Sequence, residues 1–146
     1  MKKRYPLVAM FILMIVSLGC ISDSTSKISS KDANATYDKI IYDYSPERFD
    51  TALRSGKPTI LDFSADWCIY CYQMIPILEE LKAKYGGKVN FITVNADIEK
   101  ELVHKYGVRT LPTYILIDEG GEAIGKKIGY TPKEKFETAI DRLLER

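Results

Sequence analysis

The feature that most constrains this 146-residue chain is a pair of cysteines, Cys68 and Cys71, separated by only two residues. Just before the pair, residues 59–63 form a short apolar run of the kind found in buried central strands. After it, apolar residues recur with helical spacing over residues 69–85. The cysteines are therefore predicted to lie where a buried strand leads into a helix, with Cys68 at the helix N-terminus.

Three kinds of site can use such a pair, and the surrounding residues favour one of them. A zinc site needs about four ligands, and the single histidine, His104, lies beyond another predicted strand. A structural disulfide between positions i and i+3 gains little chain entropy, because the loop that it closes is so short. In a redox dithiol, the helix N-terminus would lower the pKa of Cys68, and Cys71 would attack the mixed disulfide that Cys68 makes. The redox dithiol is favoured, and the other two remain as alternatives.

Strand and helix patterns alternate along the chain from residue 40 onward. The predicted strands are residues 40–42, 59–63, 89–94, 113–117 and 123–128. The predicted helices cover residues 46–54, 69–85, 98–106 and 132–144. Ser45 followed by Pro46 is typical of an N-cap and a first helical position. The order βαβαβαββα indicates an α/β domain in which helices flank a central mixed sheet.

The first twenty residues have the pattern of a targeting segment. A basic start at residues 1–4 precedes an apolar run at 7–18, which is shorter than the ~20 residues of a membrane-spanning helix. The sequence before Cys20 resembles the lipobox of lipoproteins, although Ser17 stands where that motif usually has leucine. Residues 1–20 are therefore predicted to be a signal peptide, a lipoprotein signal with Cys20 lipidated, or an uncleaved anchor. Each possibility places the remainder outside the cytoplasm.

A polar, serine-rich segment at residues 21–39 is predicted to tether this N-terminus to a domain over residues 40–146. The segment holds Asn34 in an N-glycosylation sequon. Beyond the first four residues the chain carries 18 basic and 20 acidic side chains. It therefore lacks the basic field that attracts nucleic acid, so no nucleic-acid partner is expected. Nothing in the sequence specifies an oligomer, and a monomer is expected.

The domain resembles the thioredoxin superfamily over roughly residues 40–146. The resemblance is carried by L-D-F-S-A-D-W-C-I-Y-C at 61–71, Pro76, V-N-A-D at 94–97, Y-G-V-R-T-L-P-T at 106–113, Gly121 and Gly129. A tryptophan before a C-x-x-C pair, with a downstream L-P-T at this spacing, is much more specific than C-x-x-C alone. The resemblance implies a thioredoxin fold and thiol–disulfide exchange.

The same resemblance implies roles for four further residues. Pro112 matches the family's cis-proline, which packs against the dithiol, and the backbone of Leu111 would pair with a substrate peptide as an added strand. Asp62 matches the buried acid that takes the proton of Cys71 as that residue attacks. Trp67 would shield the site and offer a flat surface to the substrate.

Two departures from the family pattern bear on chemistry. Typical thioredoxins carry Gly-Pro between the cysteines, where this chain has Ile69 and Tyr70, and Thr93 stands where a lysine often accompanies the buried acid. Strong oxidases and isomerases of the family place a histidine between the cysteines. Because Ile69 and Tyr70 bring no charge, they are predicted to tune the pair toward a moderately lowered pKa of Cys68 and a disulfide that is harder to reduce.

These observations predict a protein-disulfide oxidoreductase that works outside the cytoplasm and reduces disulfides in exported proteins, apocytochromes included. A membrane protein is expected to supply the electrons. Neither a cofactor nor a metal is expected, because the dithiol itself carries the two electrons. Two alternatives stay open: a disulfide oxidase or isomerase, and a binding module that holds unfolded chains near Pro112 without redox turnover.

Overall fold

The structure, a computed structural model, describes residues 39–146. The predictions for the leader, for lipidation of Cys20 and for the sequon at Asn34 lie outside these residues. No helix within residues 39–146 is both long and apolar enough to span a bilayer. The elements are α1 (Pro46–Leu53), β1 (Thr59–Ser64), α2 (Ile69–Tyr85), β2 (Asn90–Asn95), α3 (Lys100–Lys105), β3 (Thr113–Ile117), β4 (Ala123–Ile128) and α4 (Lys133–Leu144).

The four strands of the described residues form one mixed sheet in the order β2-β1-β3-β4. Strand β1 runs parallel to β2 and antiparallel to β3, and β3 and β4 form an antiparallel hairpin. All six residues of β1 are buried, as expected for a central strand whose two faces are covered by helices. The predicted mixed sheet flanked by helices is confirmed.

The predicted strand at residues 40–42 is wrong, so the described elements begin with α1. The chain there joins no strand of the sheet. Instead, the backbone N–H groups of Asp43 and Tyr44 both donate to the Thr93 carbonyl, at 3.1 and 3.2 Å. The Asp43 carboxylate accepts from the Thr93 N–H at 2.7 Å. A side chain thus takes the donor that a neighbouring strand would have bonded, which ends the pairing.

Alternate residues of β1 serve two cores on opposite faces of the sheet, as the period of a strand requires. Ile60 packs with residues of α2 and α4, whereas Leu61 and Phe63 pack with residues of α1 and α3. Asp62 therefore shares the face of Ile60, beneath α2. Its direct cross-strand partner on β3 is Tyr114, which packs edge-on against Phe136 with ring centroids 4.8 Å apart.

Replacing Tyr114 with phenylalanine tests the energetics of this core. The Tyr114 hydroxyl is buried and has no hydrogen-bond partner among the described residues. Because an unpaired buried hydroxyl opposes folding, Tyr114→Phe should raise the free energy of unfolding by about 1 kcal/mol in urea titrations.

Tyr85→Phe is the matched control, because the Tyr85 hydroxyl donates to Asp141 Oδ1 at 2.9 Å. Loss of that bond should lower the free energy of unfolding by about 1 kcal/mol. A Tyr114→Phe protein destabilised as much as the control would show that the Tyr114 hydroxyl has a partner after all.

Candidate active site

The two cysteines lie at the start of α2, as predicted, and are joined as a disulfide with Cα atoms 5.2 Å apart. Cys68 is the N-cap residue of the helix, and its Sγ accepts a hydrogen bond from the Cys71 N–H at 3.2 Å. Cys68 and Cys71 are only 4% and 2% exposed. A thiolate at Cys68 would occupy the position where the free N–H groups of the first turn and the helix dipole favour negative charge.

The first turn of α2, beside the disulfide, is apolar and uncharged. Ile69 and Tyr70 occupy the first turn of α2 and are largely exposed, and that turn has no acidic residue. Trp67 is 70% exposed, so it does not belong to the core. Its indole Nε1 donates to Asp97 Oδ2 at 2.8 Å, which fixes the ring beside the site.

The Leu111–Pro112 peptide bond is cis, as the resemblance implied. Leu111 is partly buried against the cluster that contains both cysteines. The Pro112 carbonyl accepts from the Gly129 N–H at 2.7 Å, which ties this loop to the end of β4. Leu111 therefore packs beside the disulfide.

The first described residues, 39–44, form a segment that we call the N-terminal segment. Its side chains pack behind the disulfide, a contact that the sequence analysis did not predict. Ile40 is buried in one cluster with Ala65, Cys68 and Cys71. The Tyr42 hydroxyl donates to Asp66 Oδ1 at 2.8 Å. The apolar run at residues 40–42 was the available signal, but such a run predicts a strand and does not indicate packing against the cysteines.

Asp62 lies in β1 beneath the helix that carries the cysteines and is 6% exposed. Ser64 Oγ donates to its Oδ1 at 2.9 Å. Burial raises the pKa of Asp62 to about 7, partly offset by the Ser64 hydrogen bond and the charge of Lys82, while the charge of Asp43 raises it further. A carboxyl with this pKa is only partly ionised at neutral pH and can both take and release a proton there.

Two other residues considered from the sequence are not among those that pack around the cysteines. His104 is exposed in the last turn of α3. Thr93 is buried on β2, opposite Asp62 in the parallel register. Residues 39–146 contain no group of three or more His, Cys, Asp or Glu side chains arranged to hold a metal ion.

A cysteine pair that caps a helix, beside a cis-proline and above a buried carboxyl, defines the site of a thiol–disulfide oxidoreductase. Comparison with known proteins supports this class. A family model described as Thioredoxin matches residues 40–142. The chain belongs to the thioredoxin family.

The relatives include proteins of different lengths. A thiol:disulfide interchange protein TxlA homolog of Synechocystis is 44% identical over 96 residues, covering 64% of this chain and 53% of that protein. The thioredoxin of Alicyclobacillus acidocaldarius is 36% identical over 97 residues, covering 66% and 91%. The rice thioredoxin-like protein HCF164, chloroplastic, is 33% identical over 90 residues, covering 60% and 34%. The match thus spans about half of the first of these relatives and a third of the last.

Among solved structures, the germline-specific thioredoxin Deadhead of Drosophila melanogaster superposes with a TM-score of 0.60 at 27% identity. The superposition covers 66% of this chain and 89% of that structure. The thioredoxin fold predicted from the sequence is therefore confirmed.

Replacing Asp62 with asparagine should change how stability depends on pH. The folded protein keeps a proton on Asp62 up to about pH 7, whereas the unfolded chain releases it near pH 4. Folding therefore takes up a proton in this window, and stability falls as the pH rises through it. At pH 8 the full cost of burying the ionised Asp62 carboxylate lowers the free energy of unfolding, by at most about 4 kcal/mol. Asp62→Asn should remove much of this cost.

Urea unfolding at pH 4, 6 and 8 measures this effect. The gain from Asp62→Asn should grow across the series and nearly vanish at pH 4. Asp50→Asn is the control, because Asp50 is half-exposed and pairs with Arg54 on the surface of α1. An equal gain from Asp62→Asn at all three pH values would contradict the raised pKa.

Proposed function

We propose that this protein works outside the cytoplasm as a reductase of disulfides in exported proteins, apocytochromes included, and receives its electrons from a membrane protein. The observation that carries the proposed direction is the uncharged first turn of α2. The exposed Ile69 and Tyr70 place no cation beside Cys68. The thiolate then depends on the helix terminus alone, which favours a disulfide that is harder to reduce and a dithiol that donates electrons.

The reaction uses the two sulfurs in sequence. The Cys68 thiolate attacks one sulfur of the substrate disulfide, which forms a mixed disulfide and releases the first substrate thiol. Asp62 accepts the proton of Cys71, and the resulting thiolate attacks Cys68 Sγ. The bond between Cys68 and the substrate breaks, the second substrate thiol leaves, and the Cys68–Cys71 disulfide remains. Two electrons and two protons from the donor restore the dithiol.

Substrate contacts are assigned to the residues beside the disulfide. The Leu111 backbone, held by the cis peptide bond to Pro112, pairs with an extended substrate segment as an added strand. The exposed ring of Trp67, fixed by its bond to Asp97, packs against the residues that flank the substrate cysteine.

Support for the location comes from the sequence. The basic residues 1–4, the apolar run at 7–18 and the position of Cys20 favour a membrane tether at the N-terminus, joined through residues 21–39 to the domain over 40–146. An anchored reductase needs electrons from across the membrane, so a membrane donor belongs to the same proposal. A relative named as a thiol:disulfide interchange protein is consistent with disulfides of other proteins as substrates.

Insulin reduction tests the proposed activity. With dithiothreitol present, the full chain in detergent should accelerate precipitation of the insulin B chain, and Cys68→Ser should abolish the acceleration because it removes the attacking thiolate. Cys20→Ser, outside the domain, is the control and should leave the rate unchanged.

Two results would overturn this proposal. If the wild type and Cys68→Ser proteins gave the same insulin rate, while a Cys68→Ala, Cys71→Ala protein still suppressed aggregation of an unfolded client, the domain would be a binding module. If the wild type accelerated oxidative refolding of a reduced multi-cysteine protein but not insulin reduction, it would be an oxidase or isomerase.

Substitution of Tyr70 tests the tuning of the pair. Tyr70→His places a titratable cation beside Cys68, which stabilises the thiolate and makes the disulfide more oxidising. The equilibrium constant with glutathione should change at least tenfold, equivalent to about 30 mV, and more at pH 6 than at pH 8 because histidine has a pKa near 6.5.

Tyr70→Phe is the matched control for this substitution, because it keeps the ring and adds no charge. It should leave the equilibrium with glutathione unchanged. Equal shifts for Tyr70→His and Tyr70→Phe would mean that the charge of the first turn does not set the potential.

A further inference from the structure

A cavity of about 370 Å³ connects Asp62 with a charged part of the surface of α2. Asp62 and Thr93 line its sheet side, Glu79 and Lys82 line it from α2, and residues 39–41 line it from the N-terminal segment. Asp62 is almost fully buried, whereas the side chains of Glu79 and Lys82 are 57% and 35% exposed. The cavity therefore runs from the buried carboxyl outward to this pair.

Glu79 and Lys82 lie one turn apart on α2, with Glu79 Oε1 and Lys82 Nζ 3.5 Å from each other. Residues at this spacing share one face of a helix, and here that face borders the cavity. The two side chains bring opposite charges to the outer end of a space whose inner end is a carboxyl. The charge of Lys82 favours the carboxylate form of Asp62, and a negative charge at the same end of the cavity would act with the opposite sign.

We propose that Glu79 and Lys82 are positioning residues for Asp62: through this cavity Lys82 favours the carboxylate that accepts the Cys71 proton, Glu79 opposes it, and the proton leaves to solvent between them. This inference rests on the proposed role of Asp62 in the resolving step. The proton moves from the Cys71 thiol to Asp62 as the Cys71 sulfur attacks Cys68. It then passes from Asp62 to water, so that the carboxylate is ready for the next turnover.

The other titratable groups around Asp62 do not cancel the effect of Lys82 on its ionisation. Asp43, on the N-terminal segment, disfavours the carboxylate, but it pairs with Arg48 at 2.8 Å, which reduces its influence. Lys39, at the cavity wall, is exposed to solvent, which screens its charge.

Two phenols also lie near Asp62: that of Tyr42, on the N-terminal segment, and that of Tyr114, on β3. Both are neutral, because burial raises the pKa of each. Lys82 is the cation whose charge favours ionisation of Asp62.

The contrasting interpretation is that Glu79 and Lys82 form an ordinary surface ion pair, of the kind that contributes little to a protein. Such a pair would not change the titration of a buried carboxyl. The two interpretations differ in the sign of the effects of the single substitutions. If the pair acts on Asp62, removal of the cation and removal of the anion must move its titration in opposite directions.

The experiment follows the Asp62 carboxyl by ¹³C NMR in the full chain in detergent, with Asp62→Asn to assign the signal. Lys82→Met should raise the pKa of Asp62 by at least about half a unit, a threefold change in proton affinity. Glu79→Gln should lower it by a similar amount. The double variant should lie near the wild type, and Lys82→Arg should preserve the wild-type value.

The matched control is Lys84→Met, because Lys84 lies on the same helix, pairs with Glu137 at 3.0 Å and does not line the cavity. This control should not move the Asp62 signal. In parallel, the pH profile of the resolving step, followed as release of a chromogenic thiol from the mixed disulfide, should shift with the Asp62 pKa in each variant.

Two outcomes would overturn the inference: an Asp62 titration that Lys82→Met and Glu79→Gln leave in place, or one that both shift in the same direction. Because the NMR titration does not depend on turnover, its result stands apart from the insulin assay. If the protein were inactive but its Asp62 titration responded as described, the result would contradict the proposed reductase function. It would still support the action of Glu79 and Lys82 on the ionisation of Asp62. If the protein were active but its Asp62 titration did not respond, the result would contradict only the proposed action of Glu79 and Lys82 on Asp62.

Discussion

The site depends on the hydrogen bond that Cys68 Sγ accepts from the Cys71 N–H at the start of α2. This bond makes a cysteine the N-cap of the helix, so the sulfur occupies the position where a serine or aspartate oxygen would normally satisfy a free N–H group. The same geometry stabilises negative charge on the sulfur once the disulfide opens. Capping the helix and activating the nucleophile are therefore two consequences of one contact. The remaining elements hold that contact between a buried strand and a cis-proline loop.

Cys68 and Asp62 lie in different electrostatic environments on the two sides of this cap. On the outer side, Ile69 and Tyr70 bring no charge to the first turn of α2, so within that turn only the helix terminus favours a thiolate. On the inner side, burial holds the pKa of Asp62 near neutrality, so that a carboxyl can exchange a proton with a thiol. In the proposed mechanism, the uncharged turn sets the potential of the dithiol, and burial sets the pKa of Asp62. The helix that carries the cysteines also carries Glu79 and Lys82, the two residues proposed to act on Asp62.

Much of this arrangement could be predicted from local sequence. The helical spacing of apolar residues predicted the bounds of α2, which ends at two glycines. The turn residues 118–121 between two strand-like segments predicted the bounds of β3 and β4. The pair Cys68 and Cys71 was identified from spacing and position, whereas Asp62 and Pro112 needed the resemblance to a family. The strand predicted at residues 40–42 failed because a side chain, Asp43, takes the backbone donor of Thr93. Its contact spans 50 positions in sequence, and no local pattern reports such a contact. The cavity beside Asp62 could not be predicted either, because residues from four separate segments of the chain line it.

The reduction potential of the Cys68–Cys71 pair decides most directly whether the uncharged turn makes this protein a donor of electrons. It can be measured by equilibrating the protein with glutathione buffers and following the fluorescence of Trp67, the only tryptophan in the chain. If the uncharged turn sets the potential as proposed, we expect a value of about −270 mV, at the thioredoxin end of the range. A value of about −120 mV, at the level of a strong oxidase, would contradict the proposal and indicate a protein that introduces disulfides.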